Sequence, residues 1–347
     1  MALAAIERID DAVDMTRSFL TPVTAGRWGR LAVIAALLLG GTGGGGAAVS
    51  SVSNVPATAG SVPDEEFPEL AVEFPELSAT AVAVVIGAIA AVVLVGLIVG
   101  AVGAIMEFVF VESLSTNEIH VRRYTRRYAG KGLRLFVFRL VLALATAIVL
   151  GGATLLLFGD VFAGLLAGEI VVPSGGRLLV GALVLVPLGI AVGIVVALAN
   201  GFTTEFVVPI MRREDRGLLD AWRRFWPTLV GQWKQYGTYV VVAFGLHIVT
   251  EIAGSIVIGI AAIALAIPFA IVAVPVGLGV VQGGTITAGA IVLLVVLLGL
   301  YLLVVLLAAA VVYVPIKVFH RQFALLVLGD TNEAFDVLGD RRPSRTA

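Results

Sequence analysis

His247 and Glu251 lie four residues apart in residues 237–281, a run with no other charged residue. Four residues is one helical turn, so the two side chains share a face. Glu251 falls roughly midway through a span of about 20 residues. An ionisable pair inside an apolar run is a candidate for proton or ion passage. The plainer alternative is a structural hydrogen bond to a neighbouring helix. Glu107 and Arg139 form a second candidate pair, each near one end of an apolar run. They can meet as an ion pair, or each can snorkel to the headgroups. A third group combines Arg212, Arg213, Arg216, Arg223 and Arg224 with Trp222 and Trp226. Leu218, Trp222, Phe225 and Leu229 recur there at helical spacing. The segment therefore reads as an amphipathic helix lying on anionic lipid headgroups.

Other chemistry is poorly served. With no cysteine in the chain there is no disulfide, thiolate metal site or thiol nucleophile. His247 and Glu251 are two ligands, too few for a metal site. Gly41, Gly43 and Gly46 have the spacing of a dinucleotide fingerprint, but no strand precedes them and no suitable acid follows about 20 residues on. No nucleophile, base and acid can be grouped by spacing. The expectation is a protein that is not an enzyme and needs no cofactor. A net charge of -1 excludes a basic nucleic-acid binder.

The elements that must position these residues are membrane spans. Of 347 residues, 59% are hydrophobic and 14% charged, with a mean hydropathy of +1.06. Soluble domains carry roughly 25% charge. Six apolar runs follow one another at residues 31–49, 79–111, 135–158, 178–210, 237–281 and 288–316. The fifth is too long for one span. It reads as a span over 238–265 followed by a broken stretch around Pro268 and Pro275. Gly96 with Gly100, and Gly189 with Gly193, have the spacing of close helix contacts.

Charge gives the orientation. All Lys and Arg except Arg177 fall on alternate sides of successive runs: before residue 31, in 112–134 with Arg139, in 211–236, and from Lys317 onward. The loop 50–78 holds six acids and no basic residue. The positive-inside rule places both termini in the cytoplasm and the acidic loop outside. All four tryptophans (Trp28, Trp222, Trp226 and Trp233) fall in the segments assigned to the cytoplasm or at their edges. The predicted organisation is an amphipathic N-terminal segment 1–30, a transmembrane domain 31–316 and a cytoplasmic tail 317–347. Ile6, Ile9, Val13 and Leu20 mark the apolar side of the first segment.

The chain also repeats itself. Glu107-Phe108-Val109-Phe110-Val111 matches Glu205-Phe206-Val207-Val208-Pro209 at an offset of 98, and a basic aromatic stretch follows each. Phe206–Ile210, Glu214 and Ala221–Trp226 resemble the membrane domain found beside glycerophosphoryl diester phosphodiesterases. That resemblance is sharp over 205–240, and the catalytic barrel of those enzymes is absent. Residues 10–14, 19–23 and 323–330 resemble an uncharacterised membrane-protein family of halophilic archaea. Neither resemblance implies an activity. The expected fold is all-α: a polytopic bundle of about six spans with internal parallel repeats and cytoplasmic interfacial helices, in the cell membrane. Its expected role is to organise lipid or protein partners, possible second copies included, with a small-solute, proton or lipid permease as the alternative.

Overall fold

The computed structural model describes residues 4–41, 79–168, 171–283 and 288–342. The acidic loop and most of the glycine run lie outside them. All regular elements in these residues are helices. They are α1 (Ala4–Leu20), α2 (Ala25–Gly41), α3 (Ala79–Thr116), α4 (Val121–Ala167) and α5 (Gly175–Phe202). A π-helical turn, Thr203–Val207, joins α5 to α6 (Val208–Arg213). Then come α7 (Leu218–Gly231), α8 (Trp233–Gly283) and α9 (Ala288–Thr331). Five stretches are long and apolar enough to cross a membrane: Ala90–Thr116, Val121–Gly164, Gly175–Arg213, Trp233–Val276 and Val292–Thr331.

Burial divides the molecule in two. In Val121–Gly164, Trp233–Val276 and Val292–Thr331 the most apolar 18 residues include none that is buried. Such long apolar shafts are stable only against lipid or another apolar partner. The core sits at the other end, the base. There Phe108, Phe206, Phe225, Tyr236, Phe323 and Phe335 are all buried. The aromatic rings interlock: Phe206 stacks on Phe225 at 5.6 Å and meets Tyr236 edge-on at 5.2 Å. In α4 the shaft is bounded by Arg139 and Asp160, 21 residues and roughly 30 Å apart, the thickness of a hydrocarbon core. Arg177, on the next helix, pairs with Asp160 at the far end.

Several expectations change. α8 runs unbroken through Pro268 and Pro275. Proline removes one N–H and crowds the preceding turn, but inside a long apolar helix the remaining hydrogen bonds have no aqueous competitor. α9 likewise continues through Lys317 to Thr331, and Phe323–Leu328 are buried, so this part of the expected tail is a core helix. α2 buries Leu31, Ile34, Ala35 and Leu38 in the base. The start of the first apolar run is thus core, and the rest of that run falls outside the described residues.

α1 buries Arg8, Ala12, Thr16 and Phe19, one turn apart, while Ile6 and Val13 face outward. Its packed side holds Arg8, which reaches Asp330 at 2.9 Å, with Ile9 and Leu20 partly buried against the core. Of the glycine pairs, Gly189, Gly193 and Gly96 have nothing within 4 Å of a built Cβ. Gly100 does make a close approach, since a Cβ there would lie 3.1 Å from the Phe136 ring of α4, and two tighter ones are at other glycines. A Cβ on Gly132 would lie 2.6 Å from the Cα of Ile105, and one on Gly181 2.4 Å from the Phe158 ring.

Candidate functional site: a buried arginine–carboxylate cluster

The helices meet around charge where the shafts join the base. Glu107, on α3, is 1% exposed. One carboxylate oxygen receives Arg139 of α4 at 3.2 Å, and the other receives Arg321 of α9. Arg139 also donates to Thr204 Oγ1 at 2.9 Å, and Arg321 donates to the Thr204 carbonyl. Arg321 further lies 3.4 Å from Glu205. Both Thr204 and Glu205 belong to the π turn. A π turn widens the helix by one residue and re-aims the side chains that follow it. Here it lets a backbone carbonyl and a carboxylate of one strand of helix converge on a single guanidinium.

Beside this clamp is a cavity of about 50 Å³, lined by Leu38, Phe110, Glu205, His247, Lys317 and His320, among others. The His247 and His320 rings are 4.2 Å apart, and His320 Nε2 is 3.0 Å from Thr250 Oγ1. Glu205 Oε2 is buried at the cavity without a hydrogen bond, its charge faced by Arg321 at 3.4 Å. A volume of this size holds one or two waters.

The predicted pairs come out differently from one another. Glu107 and Arg139 are brought together. His247 and Glu251 are not: Glu251 accepts a hydrogen bond from Tyr313 Oη on α9 at 2.7 Å, while His247 turns to His320. Glu251 is also not at mid-shaft. Its level on α9 is that of Tyr313, a few residues from Lys317 and the base, because α8 extends about 30 residues beyond Glu251 before it ends.

The basic aromatic segment is corrected further. Leu218, Ala221 and Phe225 face the protein core, so the apolar side of α7 packs on Phe206 and Tyr236 instead of lipid. Trp222 donates to Thr203 Oγ1 at 3.1 Å. Arg212 is held by Glu112, Arg216 by Glu214 at 2.7 Å, Arg224 by Glu214 at 3.6 Å and Arg223 by Asp220 at 3.7 Å. Of the seven residues, Arg213 and Trp226 are exposed with no such tie among the described residues.

Sequence reasoning missed Arg321, His320 and Lys317, which it assigned to the tail, and two further clamps. Glu112 receives Arg212 and, at 2.9 Å, Tyr128 Oη. Asp330 receives Arg8 and Arg342. Lys131 donates to the Met211 carbonyl at 2.8 Å and pairs with Asp215 at 2.6 Å. The hydrogen bond from Lys131 to Asp215, and the Lys131 charge, hold the Asp215 carboxyl below its ordinary range. Each clamp ties segments far apart in the chain.

The segments around Glu107 and Glu205 share several features. Glu107 and Glu205 meet the same arginine. Asn117 and Asp215, also 98 residues apart, have positive φ values of 59° and 54° and close the turns after α3 and α6. Phe108 stacks on Tyr128 as Phe206 stacks on Phe225.

The chain belongs to a family of unknown function (DUF7544), whose profile matches residues 3–338. No curated protein and no solved structure matches it.

Proposed function

We propose that this member of the family is a non-enzymatic membrane platform. It crosses the cell membrane six times, with both termini and the base at the cytoplasmic face, and organises anionic lipid or membrane partners. The observation that carries this reading is the contrast between the two halves. The shafts turn apolar side chains outward, and the enclosed space where they meet, beside Glu205, His247 and His320, measures only about 50 Å³. A solute permease needs a cavity that reaches both faces, and this one admits a water or two. The orientation is supported by Arg177 being the single cation at the far end. Six crossings are supported by the described ends. Leu38 lies beside Glu107, so Gly41 is level with the lower part of α3, whereas Ala79 begins α3 roughly 40 Å away. The shared offset of 98 in sequence and in the turns at Asn117 and Asp215, with aromatic stacking on Phe108 and Phe206, supports an ancestral duplication. The likenesses to the phosphodiesterase-associated membrane domain and to halophilic-archaeal proteins belong to the same reading.

A second reading, passage of protons past His247, has one specific observation in its favour: the buried Glu205 oxygen that lacks a hydrogen bond at the cavity. Glu251 does not line that cavity. Liposomes holding the purified protein and a trapped pH-sensitive dye separate the two. The platform reading expects an acid pulse to decay as it does in empty liposomes. Faster decay that disappears in His247→Gln would replace it with the proton pathway.

A further inference from the structure

We propose that the groove between the start of α4 and the foot of α2 binds phosphate-bearing anions, and that its occupant is the headgroup of an anionic membrane phospholipid. Arg30, Arg122, Arg123 and Arg126 line an open groove of about 750 Å³ together with His120 and Ile119. Arg30 is fixed there by donating to the Ile119 carbonyl at 3.2 Å. Arg122, Arg123 and Arg126 are exposed and have no acid or acceptor partner among the described residues. The nearby acid, Glu118, lies 3.5 Å from His120.

Arginines three and four apart on one helix repel. The matching place in the second unit relieves that repulsion internally, since Asp220 faces Arg223 and Glu214 faces Arg216 and Arg224. In the first unit no carboxylate of the described residues takes that role, which leaves these arginines open to an anionic ligand. Guanidinium groups bind phosphate through paired N–H donors, which fits a cluster made of arginine alone. The groove is also larger than one phosphate and within the range of organic ligand sites. Arg30 sits immediately before the apolar run of α2, and Val33, one turn further on the same face, is 51% exposed. A ligand with its phosphate on the arginines can therefore lay an apolar body along α2, as a phospholipid does and a soluble phosphate does not.

The lipid assignment rests on the reading that the base faces an anionic leaflet, while the anion site itself does not. Phosphatidylglycerol and phosphatidylcholine retained by the detergent-purified protein at low salt are compared by native mass spectrometry. One variant is R122Q/R123Q/R126Q, and the control, R17Q/R134Q/K234Q, removes the same charge from elsewhere on the base. At roughly fivefold per charge, the groove variant is expected to lose on the order of 100-fold in phosphatidylglycerol affinity. The control should stay within about threefold, and pyrophosphate should displace the lipid. Single variants, at about fivefold each, give the same reading if the triple variant aggregates. Equal losses in groove variant and control, or no loss in either, overturn the site. Pyrophosphate binding that the groove variant abolishes, with no lipid retained, overturns the lipid occupant and leaves a site for soluble phosphates.

Discussion

A carboxylate held away from water between two guanidiniums is costly to assemble and more costly to disrupt. Glu107 is in that position, with Arg139 and Arg321 on its two oxygens. Removing Arg321 leaves a buried negative charge with one partner and also frees the Thr204 carbonyl and Glu205. Arg321→Gln is expected to destabilise the protein by about 3–5 kcal/mol. Thermal unfolding in detergent measures this. Adding Glu107→Gln should restore part of the loss, because the double variant no longer buries an uncompensated charge. A double variant as unstable as the sum of the two single ones would mean that the pair does not couple.

The glycines carry the prediction that belongs to the helices. At Gly132 a Cβ meets the backbone of Ile105, so neither side can yield without moving α3 or α4. Gly132→Ala is expected to cost about 1–3 kcal/mol through overpacking. Gly189→Ala meets nothing within 4 Å, and it should be neutral or slightly stabilising because alanine is the better helix former. Thermal unfolding of the two variants side by side tests the contrast; equal destabilisation would contradict it.

The sequence made the shafts legible because an uncharged stretch of helical length has one low-energy setting. It made Glu107–Arg139 legible because both sit at the same end of consecutive runs. Arg321 was hidden for a physical reason. Its partner Glu107 is 214 residues away, and a cation just after an apolar run reads as a cytoplasmic charge until the fold is known. The pair Gly189 and Gly193 and the apolar stripe of α7 misled in a similar way. Spacing tells which residues share a face, but it does not tell whether protein, lipid or nothing lies against that face. The proline pair misled because the rule that proline breaks a helix comes from chains whose backbone has water as an alternative partner.

At the scale of the molecule, charge and burial agree on a single frame. Some base arginines are held in clamps at Glu107, Glu112 and Asp330, and others line the groove beside α2. The far end carries Arg177 and Asp160. The central claim is that the shafts cross the membrane with the base inside. Because the chain has no cysteine, single cysteines report position without background. Val172 is 80% exposed at the far end, and the Glu118 side chain is 64% exposed at the base. An impermeant maleimide added to intact cells is expected to label Val172→Cys at once, and Glu118→Cys only after the membrane is permeabilised. Labelling of Glu118→Cys in intact cells with protection of Val172→Cys would invert the orientation. Labelling of both would contradict the membrane crossing itself.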